Sequence, residues 1–164
     1  MSAARRVVVG LGSNLGDRRA LLRRAAGELG RRAGELLALS PVYETEPVGP
    51  PQPRYLNAAA LLSASLEPRA LLEVLLAIEL ELGRARPSPV PLGPRTIDLD
   101  LLWIEGEAVR APGLEVPHPR LEQRSFALRP LCDVASDARH PLTGARYLEL
   151  EPSRAPLDRV ADAP

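Results

Sequence analysis

Short apolar runs alternate with amphipathic stretches along the chain, and each period predicts an element. Arg5 to Gly12 holds Val7, Val8, Val9 and Leu11 in a run too short for a helix, which predicts a buried strand. Gly10 to Gly16 reads as a glycine-rich turn. Asp17 then starts a helix with Leu22, Ala25, Ala26 and Leu29 on one stripe, its end bracketed by Gly30 and Gly34. Glu35 to Glu46 alternates loosely through Leu37, Leu39 and Val42, as a second strand does. Pro47 to Pro53 is a proline-rich loop, and Arg54 to Ser65 a third strand. Pro68 stands at the first position of a second helix, with Leu71, Val74, Leu75, Ile78 and Leu82 at helical spacing and Gly83 as its stop. Arg84 to Leu92 is a loop. After Gly93-Pro94 the alternation returns: Asp98, Asp100 and Leu102 share one face of a strand, and Ile97, Leu99, Leu101 and Trp103 the other. A short extended piece follows Gly106, and two prolines keep Val116-Pro117-His118-Pro119-Arg120 non-helical. Glu122 to Ala135 predicts a helix that Pro130 kinks or restarts, and the Pro- and Arg-rich tail from Arg139 is expected to pack loosely.

The order β-α-β-β-α-β predicts an α+β, ferredoxin-like (split βαβ) antiparallel sheet, with helices packed on one face and a C-terminal extension, as a single domain over 1–164. That topology is expected to bring the first and last strands together in the sheet centre, and so the Gly turn beside the Asp-x-Asp strand.

Composition narrows the chemistry. Lys and Arg total 21, every one of them Arg, so Schiff-base chemistry and a phosphate-binding lysine are excluded. Phosphate handling would rest on arginine, metal and backbone N–H groups. Formal net charge is zero, which gives no general attraction to nucleic acid or to an anionic membrane. A lone Cys132 makes neither an internal disulfide nor a cysteine-rich metal site and suits a reducing cytoplasm. The N-terminal apolar run is too short for a signal core or a membrane span.

Asp98 and Asp100 stand about 6–7 Å apart along one strand. Unassisted they would repel, and one would tend to keep its proton. A hard divalent ion such as Mg²⁺ removes that conflict, taking one or two carboxylates and completing its shell with substrate phosphates. Arg84, Arg86 and Arg95 flank the neighbouring proline-rich loop, where guanidinium forks would close over such phosphates. His118, followed by Arg120 and Arg124, is a second candidate phosphate contact. Tyr55 and Asn57 share a strand face, a ring beside a carboxamide, able to stack on a flat heterocycle and bond its edge.

Taken together, G-L-G-S-N-L-G-D-R, P-V-Y-E-T-E-P-V-G, Y-L-N-A-A, I-E-x-x-L-G-R-x-R, G-P-R-T-I-D-L-D-L-L and V-P-H-P-R-x-x-x-R-x-F resemble, in this order, the 6-hydroxymethyl-7,8-dihydropterin pyrophosphokinases of folate biosynthesis. The resemblance spans about Val7 to Leu131. It implies a cytoplasmic, ferredoxin-like monomer that moves pyrophosphate from ATP to the pterin hydroxymethyl group and releases AMP. By the same resemblance, Asp98 and Asp100 would hold two Mg²⁺ ions, and Arg84 and Arg95 would clamp the phosphates. His118 and Arg124 would complete ATP binding, with Leu101 and the segment before Val116 near the adenine. Gly12, Thr45, Glu46 and Val48 would line the pterin pocket, Asn57 would bond the pterin edge, and Tyr55 and Phe126 would sandwich its ring. Two positions depart from the family pattern, Leu92 and Pro119, each standing where an aromatic is common. The partners implied are small molecules, with no nucleic acid and no membrane.

Two other readings rest on the same residues. A non-catalytic ferredoxin-like binding or regulatory domain would show no magnesium-dependent nucleotide binding. A small dinucleotide-binding oxidoreductase would use the Gly turn between strand and helix, although G-x-G-x-x-x-G is not the usual fingerprint and no repeating βαβ units follow.

Overall fold

The computed structural model describes residues 3–85 and 89–164. The predicted Arg86 contact and the stretch Pro87-Ser88 lie outside the described residues. The order is β1 (Arg5–Ser13), α1 (Arg18–Arg32), β2 (Glu35–Leu39), β3 (Val42–Thr45), β4 (Tyr55–Ala64), α2 (Pro68–Glu81) and β5 (Asp98–Ile104). A hairpin of β6 (Val109–Ala111) and β7 (Leu114–Val116), then α3 (Ser125–Val134) and β8 (Asp158–Ala161), complete the chain.

The main sheet runs β5-β1-β4-β3-β8, with β2 also on β4, and every pairing is antiparallel. The first and the Asp-x-Asp strands are neighbours as expected. The centre, however, is β1 and β4, and β5 is an edge strand. The predicted second strand divides at Ser40-Pro41. Proline has no N–H for the ladder, and Ser40 bridges the gap: its amide donates to the Ala59 carbonyl at 2.9 Å, and its hydroxyl accepts from the Ala59 amide at 2.8 Å. Gly10 and Gly12 lie on β1 rather than in a turn, because β1 continues to Ser13 in register with β4 and β5.

One core lies under α1 and α2 and gathers Val7, Val9, Leu11, Leu22, Leu29, Leu71, Leu75 and Leu101. The opposite face is covered too. Val8, Leu61, Leu102, Trp103, Leu128, Leu131 and Tyr147 form a second core there. The helices are therefore not all on one side, and the tail is not loose: Tyr147 is fully buried, and the Trp103 indole N–H donates to the Arg139 carbonyl at 2.8 Å. This face carries Val8, Ala59 and Leu61, apolar surface that must be covered. α3 begins at Ser125, after a short 3-10 turn at Leu121–Gln123, and runs through Pro130.

Strict alternation along β5 fails at one point. Val8 pairs with Trp103 and Val9 with Leu101, so Leu102 is an extra residue, a β-bulge. The bulge turns Trp103 onto the side of Leu102 and sends Ile104 to the helix-side core. The expectation that Trp103 shares the face of Leu99 and Leu101 is corrected accordingly.

Candidate active site

Asp98 and Asp100 leave β5 on the face away from α1 and α2. They stand opposite Gly12 and Gly10 in register. A Cβ on Gly12 would approach the Asn57 Oδ1 to 3.1 Å and the Tyr55 ring to 3.4 Å. The floor between the carboxylates and Asn57 is thus bare backbone, with a niche of about 20 Å³ that admits one water-sized molecule.

The carboxylates sit in a network that begins in α2. Glu79 is buried, one turn after Leu75 on the apolar side of the helix. Its Oε2 accepts the Leu99 amide at 2.8 Å, an N–H on an edge strand, and also pairs with the Arg84 guanidinium. The same Arg84 Nη1 donates to Asp98 Oδ1 at 2.8 Å, and Arg95 Nη1 donates there at 3.1 Å. Burial, then the neighbouring Asp98 and Glu79 carboxylates, push the Asp100 carboxyl up to about 7. Asp100 is the group most relieved by a cation, and an all-oxygen donor pair fits a hard divalent ion.

Beside Asp98 opens a cavity of about 120 Å³. Thr45, Glu46 and Val48 line it from the end of β3 and the loop beyond, Tyr55 and Asn57 from β4, and Phe126 from α3. Arg95, Arg120 and Arg124 form its charged rim, with Leu92 closing one side. Asn57 Nδ2 donates to Thr45 Oγ1 at 2.5 Å, which sets the carboxamide plane. Burial, with the Asp98 charge behind it, raises the Tyr55 phenol above its ordinary range, so the ring enters as a neutral surface. Arg124 lies over the Phe126 ring at 5.5 Å.

His118 is anchored by its amide to the Leu102 carbonyl at 2.9 Å. Its Nδ1 accepts the Arg120 amide at 3.2 Å. Burial first, then Arg124, lower its pKa, so the ring is neutral near pH 7 with the proton on Nε2. Leu101 behaves differently: it is buried in the helix-side core with Leu114, away from the Asp98 cavity.

Sequence reasoning left two groups unassigned. Glu79 is one; a carboxylate on an apolar helical stripe was the signal. Asn14 is the other. It is buried, its amide donates to the Arg95 carbonyl at 3.1 Å, and its Oδ1 accepts the Arg95 amide at 2.8 Å. Its Nδ2 donates to Gln52 Oε1 at 2.8 Å and to the Pro53 carbonyl at 2.9 Å, while Gln52 Nε2 donates to the Leu92 carbonyl at 2.7 Å. Three loops are thereby tied around the cavity. Leu92, with φ of 55°, holds a left-handed conformation unusual for a bulky side chain.

The family model for 7,8-dihydro-6-hydroxymethylpterin-pyrophosphokinase (HPPK) matches residues 8–136. The 2-amino-4-hydroxy-6-hydroxymethyldihydropteridine pyrophosphokinase of Pseudomonas aeruginosa is 44% identical over 138 residues, covering 83% of this chain and 84% of that protein. The Porphyromonas gingivalis protein of the same name is 47% identical over 132 residues, 79% of this chain and 90% of its own. Among solved structures, a Plasmodium falciparum HPPK-DHPS superposes with a TM-score of 0.70 over 91% of this chain at 14% identity, a likeness of fold. This chain spans 44% of that one. The chain belongs to the 7,8-dihydro-6-hydroxymethylpterin-pyrophosphokinase family of enzymes.

Proposed function

We propose that this protein transfers pyrophosphate from ATP to the hydroxymethyl group of 6-hydroxymethyl-7,8-dihydropterin, in a magnesium-dependent reaction that releases AMP in folate biosynthesis. The observation that carries the reading is the joint: a flat-walled cavity with a carboxamide edge meets a carboxylate pair and four arginines, Arg84, Arg95, Arg120 and Arg124, at Asp98. A planar pterin fits between Tyr55 and Phe126, with Asn57 and the Thr45–Val48 backbone on its edge and Gly12 beneath. Its hydroxymethyl arm then points to the carboxylates.

Asp98 and Asp100 would hold Mg²⁺, two ions by the family resemblance; bound there, the metal supplies neutralisation of phosphate charge and acidifies the attacking hydroxyl. Arg84 and Arg95 each keep a buried Nε–H with no acceptor among the described residues, donors suited to phosphate oxygens. His118 offers Nε2–H, and Arg124 a charge. The family resemblance puts Leu101 near the adenine, whereas its side chain here is buried in the helix-side core.

The chemistry is an in-line displacement. The pterin oxygen forms a bond to Pβ, the bond from Pβ to the Pα bridging oxygen breaks, AMP leaves, and the hydroxyl proton passes to solvent. The protein contributes alignment and charge complementarity rather than a covalent intermediate. The reading needs no second chain, so we take the protein as a monomer acting in the cytoplasm. Among the described residues no helix is long and apolar enough to cross a membrane. The oxidoreductase alternative loses support, because two of the three glycines it requires at a strand-to-helix turn, Gly10 and Gly12, lie within β1 and only Gly16 lies in the turn.

The test mixes the protein with Mg²⁺, ATP and 6-hydroxymethyl-7,8-dihydropterin and separates the nucleotides. AMP formed only with pterin present supports the reading. ADP would mean single phosphoryl transfer and a different attack geometry. Absence of turnover by folded protein would favour a binding domain.

A further inference from the structure

Four arginines surround the carboxylate pair and its cavity, and three have visible commitments. Arg84 and Arg95 donate to Asp98, and Arg124 covers the Phe126 ring. Arg120 lines the same cavity, is exposed, and has no carboxylate partner among the described residues. Its backbone is nevertheless held firmly. The Arg120 amide donates to His118 Nδ1 at 3.2 Å, the Leu121 amide donates to the His118 carbonyl at 3.0 Å, and the His118 amide is tied to β5 through Leu102. Pro119 restricts the chain between them. A free guanidinium on a fixed stem, at the mouth of an apolar-walled cavity, is a donor fork without an anion.

We propose that Arg120 binds the pyrophosphoryl group itself, touching it in ATP and keeping hold of it once it is attached to the pterin. This rests on the pyrophosphokinase reading and goes beyond it by dividing the arginines. Transfer joins the pterin oxygen to Pβ and breaks the bond to the α-phosphate, so the two transferred phosphates stay on the cavity side while AMP leaves. Arg120 lies on that cavity wall. It therefore discriminates the pterin pyrophosphate product from both AMP and the free pterin.

The experiment uses the full chain with Arg120→Ala and Arg120→Lys. Dissociation constants are measured by calorimetry for pterin pyrophosphate, AMP and 6-hydroxymethyl-7,8-dihydropterin, with kcat and KM for ATP alongside. Loss of a charge-assisted contact at a partly solvated rim is expected to weaken pterin pyrophosphate binding about tenfold. AMP and free pterin should hold their wild-type affinity, KM for ATP should rise, and Arg120→Lys should recover part of the loss. Unchanged product affinity in Arg120→Ala, with wild-type turnover intact, overturns the inference alone. Equal weakening of all three ligands overturns it as well, since that marks a structural role. A wild type that forms no AMP yet binds pterin pyrophosphate through Arg120 would remove the enzyme reading and leave the anion contact standing.

Discussion

Replacing Glu79 by Gln removes one buried charge and leaves nearly everything else in place. Glu79 is 1% exposed and Arg84, its partner, has a side chain 8% exposed, so water does little to screen the pair. Glutamine keeps an oxygen for the Leu99 amide but loses the charged half of the contact with Arg84. Removing one partner of a buried ion pair costs about 3–5 kcal/mol when the other charge is stranded. Here Arg84 still donates to Asp98, so the cost should fall to about 2 kcal/mol, the range of a single charge-assisted hydrogen bond. For a domain of this size that lowers Tm by roughly 4–8 °C. Glu79→Ala also orphans the Leu99 amide and should lose about 1–3 kcal/mol more. Because Leu99 lies between Asp98 and Asp100, both variants should lower kcat/KM for ATP, the alanine more. Thermal melting by circular dichroism and AMP-release kinetics read the two effects. Both variants melting within about a degree of wild type, with wild-type turnover, would refute the assignment of Glu79 as the anchor of the carboxylate strand.

Other consequences follow from the same geometry. Asp98→Asn should lower kcat by about 10²- to 10³-fold through lost charge at the reacting centre, while the melting curve persists; full activity by AMP assay would dispose of the metal assignment. Gly12→Ala puts a Cβ 3.1 Å from Asn57 Oδ1 and should weaken pterin binding by calorimetry while KM for ATP changes little; equal affinity would show that Asn57 does not read the pterin edge. Tyr43 donates to Asp133 at 2.5 Å, and burial first, with that bond second, pushes its phenol from 10.0 up to about 12. Between these values the unfolded chain has lost the proton and the folded chain has not, so stability should fall as pH rises from about 10 to about 12. Tyr43→Phe should flatten that alkaline slope in urea titrations, and an unchanged slope would remove Tyr43 as its source.

How much could be read from residues alone differs between the fold and the site. The period-2 alternation around Asp98 and Asp100 placed both carboxylates on one face, and the structure keeps them there because β5 is regular through Leu101. The same alternation misplaced Trp103, since a bulge depends on how β5 meets β1 and not on β5 itself. Helix stripes in α1 and α2 were legible because burial selects every third or fourth residue. The C-terminal tail was not, because its few apolar residues, Ala138 and Tyr147 among them, bury against a sheet face assembled from strands far away in sequence.

The site shows the same division. Residue types and spacing by themselves determined the carboxylate pair, the absence of lysine, the arginine-flanked loop and the ring-plus-carboxamide face of Tyr55 and Asn57, since these are properties of neighbouring positions. Tertiary structure decided what those groups can do. It set Glu79 behind the edge of β5, where an unpaired amide needed an acceptor. It gathered Asn14, Gln52 and Leu92 into one hydrogen-bonded tie, and it left Arg120 uncommitted at the cavity wall. Hydrogen bonds and ion pairs across 14 to 81 residues of chain separation depend on packing in three dimensions, which no local pattern encodes.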